Sequence, residues 1–138
     1  MREILFRGNR KDNREWVVGD VHKNEDFSKA HIHPVGERVR SFDVIPETVG
    51  MYVGEHINGV EVFENDIIKF FDHGENHFGV VKFGKYSASG SENIGFYVNW
   101  LDPSDSEYYR QDLGWWLEKP YVEIVGNAYD NKELIENA

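Results

Sequence analysis

Apolar and polar residues alternate along most of this chain with a period of two, the repeat of a strand that buries one face. The 3.6-residue repeat of an amphipathic helix is nearly absent. Residues 3–7 alternate charged with apolar side chains up to Phe6 and predict a strand. The polar run 8–13 predicts a turn, and 15–21 the returning strand of a hairpin. Residues 22–29 read as loop, and 30–33 as a short strand stopped by Pro34. Residues 38–42 predict another strand, and 43–48, which contain Pro46, an extended but irregular stretch. Beyond Gly50 the signals sharpen. Met51-Tyr52-Val53 is a short strand between glycines, and Asn58-Gly59 is the strongest hairpin signal, because both residues tolerate positive φ.

Residues 60–63 predict a strand, Glu64-Asn65-Asp66 a turn, and 67–71 a strand apolar on both faces and so buried on both sides. A turn over 72–76 leads to a returning strand at 78–83, and the Ser/Ala/Gly run 87–91 reads as the most flexible stretch. In 95–101 one face carries Phe96, Val98 and Trp100, the other Tyr97, Asn99 and Leu101. Residues 102–112 predict an acidic loop or short helical turn, 121–126 the last strand, and Asn131 the cap of a helix over 132–136. Many short strands with turn residues between them define an all-β chain, a sandwich or small barrel. The hairpins of 58–83, with the strands near 95–101 and 121–126, predict closure into a five-strand, SH3-like barrel. The boundary falls at residue 50, giving an N-terminal β part over 1–50 and a barrel-like part over 51–138 within one compact unit.

Composition narrows the chemistry. The 138 residues include no cysteine, which removes disulfides, a thiol nucleophile and thiolate metal sites. No apolar run approaches the ~18–20 residues that span a bilayer, and the opening lacks the apolar stretch of a secretory signal, so the expectation is a cytoplasmic protein. Net charge is −10, unevenly distributed. Residues 1–40 hold 9 Lys/Arg against 7 Asp/Glu, net +2; residues 41–138 hold 6 against 18, net −12. Such a surface repels a nucleic-acid duplex, whose non-specific affinity comes from cations neutralising phosphates.

Four segments carry a family likeness: the opening Met1-Arg2-Glu3-Ile4-Leu5-Phe6-Arg7; Thr48-Val49-Gly50-Met51-Tyr52-Val53-Gly54; the run from Asn58 to Ile68 followed by Gly79-Val80-Val81-Lys82-Phe83; and Glu123-Ile124-Val125-Gly126-Asn127-Ala128-Tyr129-Asp130-Asn131 with Glu133-Leu134. In this order they resemble the YopX family, small proteins of bacteriophages and prophages. The likeness reaches both termini, with 84–120 divergent. Gly8 and Asn9 stand where the family usually has an aromatic, and Asn65 where it usually has Gly; Asn is the next-best residue for positive φ. The resemblance implies an all-β fold, a barrel-like C-terminal part and a phage or prophage source. It carries over no active site.

The residues themselves offer few chemical sets. His31 and His33, two apart on one strand face, precede Glu37 in a His-x-His-x3-Glu spacing similar to a cupin metal motif, but no later partner motif follows. A third imidazole would have to come from His22, His56, His73 or His77. His73-Gly74-Glu75-Asn76-His77 reads as exposed polar turn. No Gly-x-Ser-x-Gly elbow or phosphate-cradling glycine loop is present. Asp66 reads as a turn-capping carboxylate. The four Trp, nine Phe and seven Tyr mostly fill a core. Trp115-Trp116, read as extended, point to opposite sides, which sends one ring out of the main core to cover a second cluster, pack on a partner subunit or stack on a ligand. The subunit contact is the preferred functional reading, against packing within the chain.

These readings predict a non-enzymatic, cofactor-free binding module that self-associates and takes a host or phage protein of basic surface. The candidate binding residues are Glu61, Glu64, Asp66, Trp115 and Trp116. One alternative is a nucleic-acid-binding barrel using Arg2, Arg7, Arg10, Lys11, Arg14, Arg38 and Arg40. Another is a divalent-metal enzyme using His31, His33 and Glu37. No membrane association is expected.

Overall fold

The computed structural model describes residues 4–37 and 39–136. The first residue of the strand expected over 3–7, and Arg2 and Arg38 of the basic set, lie outside them. The chain divides into two compact units, Met1–Gly54 and Glu55–Ala138. Both are built from antiparallel sheet, as the period-two pattern dictates, and no described helix is long and apolar enough to cross a membrane.

In the first unit the strands are β1 (Phe6–Asn9), β2 (Trp16–Lys23), β3 (Ala30–Pro34), β4 (Phe42–Val44) and β5 (Gly50–Ile57), hydrogen-bonded in the order β4-β3-β2-β1-β5. Ala30, Ile32 and Val44 form the core, with Val17, Val21, Phe27 and Val49 packed against them. The strand expected over 38–42 is displaced to Phe42–Val44. Pro46 then opens a 3-10 turn over Pro46–Thr48, tied down by Thr48 Oγ1, which donates to the Ile45 carbonyl at 2.6 Å and accepts from Asn9 N at 2.8 Å.

β5 runs on past Gly54 and turns at Asn58 (φ 49°) and Gly59 (φ 79°) into β6 (Val60–Phe63), its hydrogen-bonded neighbour. The second unit then forms a four-stranded sheet, β10-β7-β8-β9. Its strands are β7 (Asp66–Asp72), β8 (Glu75–Ala88), β9 (Ser91–Trp100) and β10 (Glu123–Asn127), with short helices α1 (Pro103–Tyr108), α2 (Leu113–Leu117) and α3 (Lys132–Glu136). The ring of five strands expected from the sequence is not among the pairings of the described residues, since β6 bonds to β5 and the second order ends at β9 and β10.

Ile67, Ile68 and Phe70 of β7 are buried as expected, but Phe71 is 65% exposed. The serine-rich stretch is no loop. β8 runs to Ala88 and β9 starts at Ser91, with only Ser89 (φ 51°) and Gly90 (φ 80°) turning between them. Cross-strand register, Ser87 opposite Glu92 and Ala88 opposite Ser91, holds residues of poor strand propensity in place. Trp115 and Trp116 lie in α2, so their side chains diverge by about 100° rather than 180°. Leu113 and Trp116, three apart on one helical face, are both buried.

Candidate functional site

In the second unit α1 and the segment leading into α2 pack beside the end of the β7–β8 hairpin and form two adjoining concavities. The first, about 340 Å³, is lined by His73, Glu75, His77, Ser104, Asp105, Tyr108 and Tyr109. The second, about 530 Å³, is an aromatic cleft lined by Phe70, Phe71, Asp72, Tyr109, Trp115, Trp116 and Tyr121. Tyr109 lines both.

The hairpin turn itself is only His73-Gly74, both at positive φ. β8 therefore begins at Glu75 and carries His77 into the interior, directly opposite Phe70, with ring centroids 5.0 Å apart. This corrects the expectation of an exposed polar turn. His73 and Glu75 are exposed; His77 is buried at 5% exposure.

His77 Nδ1 lies 3.0 Å from both carboxylate oxygens of Asp105, and Nε2 lies 3.0 Å from the Asp72 carbonyl. Both partners are acceptors, so the ring is fully satisfied only as the imidazolium. Burial works against that charge. The Asp105 hydrogen bond, the Asp72 carbonyl and the charges of Asp105 and Glu75 together outweigh burial, and the His77 pKa is raised above its ordinary value. A group whose folded pKa is raised stabilises fully below its unfolded value, about 6.5 for histidine, and loses that contribution as pH rises through the folded value. Urea midpoints are thus expected to fall between pH 6 and pH 9, and His77→Gln to flatten that fall; an unchanged slope in the variant would contradict the assignment.

Tyr109 joins the two concavities. Its hydroxyl donates to Asp72 Oδ2 at 2.6 Å and sits 3.5 Å from His77 Nε2. Burial first, then the Asp72 carboxylate, raise the Tyr109 pKa and keep the phenol a neutral donor. The same bond, helped by His73 Nδ1 at 2.7 Å from Oδ2, holds the Asp72 carboxyl below its usual pKa and so ionised. Behind them the indole N–H groups of Trp100 and Trp116 both donate to the Arg110 carbonyl, at 2.9 and 2.8 Å. That shared acceptor fixes two large rings at once. Gly79 permits it: a Cβ there would stand 2.9 Å from Trp100 Cε3 and 2.3 Å from Val98 Cγ1.

Chemically, the first concavity pairs a buried histidine and aspartate near Ser104. Nucleophilic catalysis needs a base with a free nitrogen facing the hydroxyl. Here both ring nitrogens of His77 face protein acceptors, and Ser104 Oγ donates to Asp102 Oδ1 at 2.8 Å. The arrangement is that of a structural clasp under an aromatic surface.

The residues singled out from sequence are dispersed. Trp116 is buried at 2% exposure and therefore builds the wall of the cleft rather than a subunit contact. Trp115 is half-buried against it, with the Lys119 ammonium 4.0 Å and the Arg110 guanidinium 5.3 Å from its ring. Asp66 is buried and accepts from Phe63 N at 2.8 Å, and Asn65 has φ 78°, so the Glu64-Asn65-Asp66 turn is closed by its own residues. Glu61 is exposed on β6 and Glu64 half-buried; neither they nor Asp66 line either concavity.

His31 stacks on His22 at 5.2 Å, and His33 Nε2 bonds the Glu37 carbonyl. The Glu37 carboxylate lies 3.6 Å from Arg40, and among the described residues no three His, Asp or Glu side chains form a set able to hold a metal. In the basic set, Arg10 forks onto Asp12 at 2.9 and 2.5 Å and stacks 3.8 Å over Phe42, while Arg7 lies 4.9 Å over Trp16. Lys11 and Arg14 are exposed near the β1–β2 turn.

The fold and site define an all-β protein of two antiparallel sheets, with an aromatic cleft braced by a buried His–Asp pair. The chain belongs to the YopX protein family, whose model matches residues 5–136. It is also similar to a solved structure, the crystal structure of protein EF1440 from Enterococcus faecalis, at 18% identity over 98% of this chain and 99% of that one, with a TM-score of 0.47. No curated protein matches it.

Proposed function

We propose that this chain is a non-catalytic phage or prophage accessory protein that works in the bacterial cytoplasm by binding another protein, and that the aromatic cleft of its second unit is the contact surface. The observation that carries the reading is the cleft itself, about 530 Å³, where Phe71 and Tyr121 stay 65% and 51% exposed beside the carboxylate of Asp72. Exposed aromatic rings in a preformed concavity are the usual anchors of protein recognition. The buried Trp100, Trp116 and His77 beneath them hold the surface in one shape, which limits what binding must order. Net charge of −12 over residues 41–138 favours a basic partner through electrostatic steering and opposes a second copy docking on the same face.

Capture from host extract, followed by titration of the purified partner at rising ionic strength, tests this. A basic protein whose association weakens between 50 and 300 mM salt, roughly in the range over which surface charge is screened, is expected. A salt-independent complex with an acidic protein would contradict the reading.

A further inference from the structure

We propose that the cleft seats the guanidinium group of an arginine side chain presented by a basic peptide segment, with Asp72 Oδ1 as its hydrogen-bonding counter-charge. This rests on the cleft being the recognition surface.

Three observations converge. First, Asp72 stands at the margin of the aromatic wall with its side chain 41% exposed, and both side-chain donors it receives, Tyr109 Oη and His73 Nδ1, go to Oδ2. No described side chain donates to Oδ1; with these two bonds and the His73 backbone N–H counted, the carboxylate, which can accept about four hydrogen bonds, keeps capacity for an outside donor. Tyr109 also keeps the group ionised, so the charge is fixed rather than created by the ligand.

Second, the chain already uses this pairing internally. Arg110 forks onto Asp112 at 2.9 and 2.7 Å while its guanidinium lies 5.3 Å over Trp115. Arg10 forks onto Asp12 while stacked on Phe42. In each case a planar cation lies on an aromatic face and bonds a carboxylate at its edge. The cleft repeats those two elements, the rings of Phe71, Tyr109 and Tyr121 with the Asp72 carboxylate.

Third, the geometry selects the kind of cation. A guanidinium is planar, weakly hydrated and forked, so it can stack and bond a carboxylate simultaneously; an ammonium is a hydrated point charge. Arg110 and Lys119 already lie against Trp115, so the incoming group sits against Phe71, Tyr109 and Tyr121. A volume of about 530 Å³ exceeds what one guanidinium fills and leaves room for the flanking peptide.

The test titrates the full chain with the blocked peptide Gly-Gly-Arg-Gly-Gly, following the indole N–H resonances of Trp115 and Trp116. The same peptide with citrulline, a neutral near-isostere of arginine, and with lysine serve as comparisons. The arginine peptide is expected to give saturable shifts, and citrulline and lysine to bind at least about tenfold more weakly. Asp72→Asn is expected to reduce arginine binding about tenfold while leaving citrulline binding unchanged. Tyr121→Ala, at an exposed ring, is expected to weaken arginine binding without moving the urea midpoint. Equal binding of arginine and citrulline, equal binding of arginine and lysine, or an unaffected Asp72→Asn variant would each overturn the proposal. An arginine peptide that gives no shift while the captured partner still needs the cleft overturns the arginine assignment alone. A partner indifferent to cleft substitutions overturns the underlying reading instead.

Discussion

Replacing Trp116 by Ala is expected to destabilise the second unit by about 4 kcal/mol, within the range of about 3–5 kcal/mol for truncating a buried large aromatic. Several losses combine. The ring packs on Phe70 at 4.7 Å, Trp100 at 5.1 Å and Trp115 at 4.7 Å, so truncation opens a cavity among rings too large to shift into it. Its indole N–H also leaves the Arg110 carbonyl, which Trp100 then occupies alone. Trp116→Phe should lose less, because most of the volume remains and only the hydrogen bond goes. Urea denaturation followed by the near-ultraviolet signal of the remaining tryptophans measures both. Equal, small losses for the two variants would show that Trp116 is not the packing centre of the cleft wall.

Asp105→Ala is expected to cost about 3 kcal/mol near neutral pH, the lower end for removing one partner of a buried pair, because the concavity beside it is open to solvent. The variant leaves His77 buried without its carboxylate while the Asp72 carbonyl still faces Nε2. The imidazolium then lacks its counter-charge, and the neutral ring has no acceptor for Nδ1. Asp105 is also the residue whose carbonyl accepts from Tyr109 N at 2.8 Å at the end of α1, and Tyr109 is the side chain shared by both concavities. The Ala variant keeps that carbonyl, so loss of the clasp reaches the cleft through the His77 ring, which packs on Phe70 at 5.0 Å and Tyr109 at 4.9 Å. The double variant His77→Gln, Asp105→Ala is expected to cost less than the two single losses added together, as interacting sites do. Strict additivity in urea melts would mean the two side chains act independently.

The sheet framework was legible because its signals are local. Asn58-Gly59 announced a tight turn and forms one, and Asn65 takes the positive φ that its place in the Glu64-Asn65-Asp66 turn requires. The run 60–63 marks β6 residue for residue, and the apolar run 67–71 marks β7 to within one residue at each end. What failed was non-local or too short to repeat. α2 has five residues, fewer than two helical turns, so no periodicity could distinguish it from an extended pair of tryptophans. The strand ends around Ser87 to Ser91 owe their conformation to partners across the hairpin rather than to their own propensities.

The site was the least legible part. His77 and Asp105 are 28 residues apart and meet only because β8 starts at Glu75, three residues before the strand expected at 78. Strand alternation holds the clue, since His77 falls on the same face as Gly79 and Val81, both buried. Phe71 and Tyr121 gave no signal of exposure, because an aromatic in a strand is by default read as core. The acidic residues chosen for binding, Glu61, Glu64 and Asp66, followed net charge alone, which is indifferent to where the concavities form.

The central claim is that the second unit recognises its partner through the aromatic cleft. Its most direct test is the affinity of the captured partner for the native chain and for the double variant Phe71→Ala, Tyr121→Ala, with urea melts of both chains alongside. Both rings are exposed, so the variant is expected to melt like the native chain yet bind at least about a hundredfold more weakly, the loss typical of removing two aromatic anchors. Native affinity in a variant that remains folded would contradict the account.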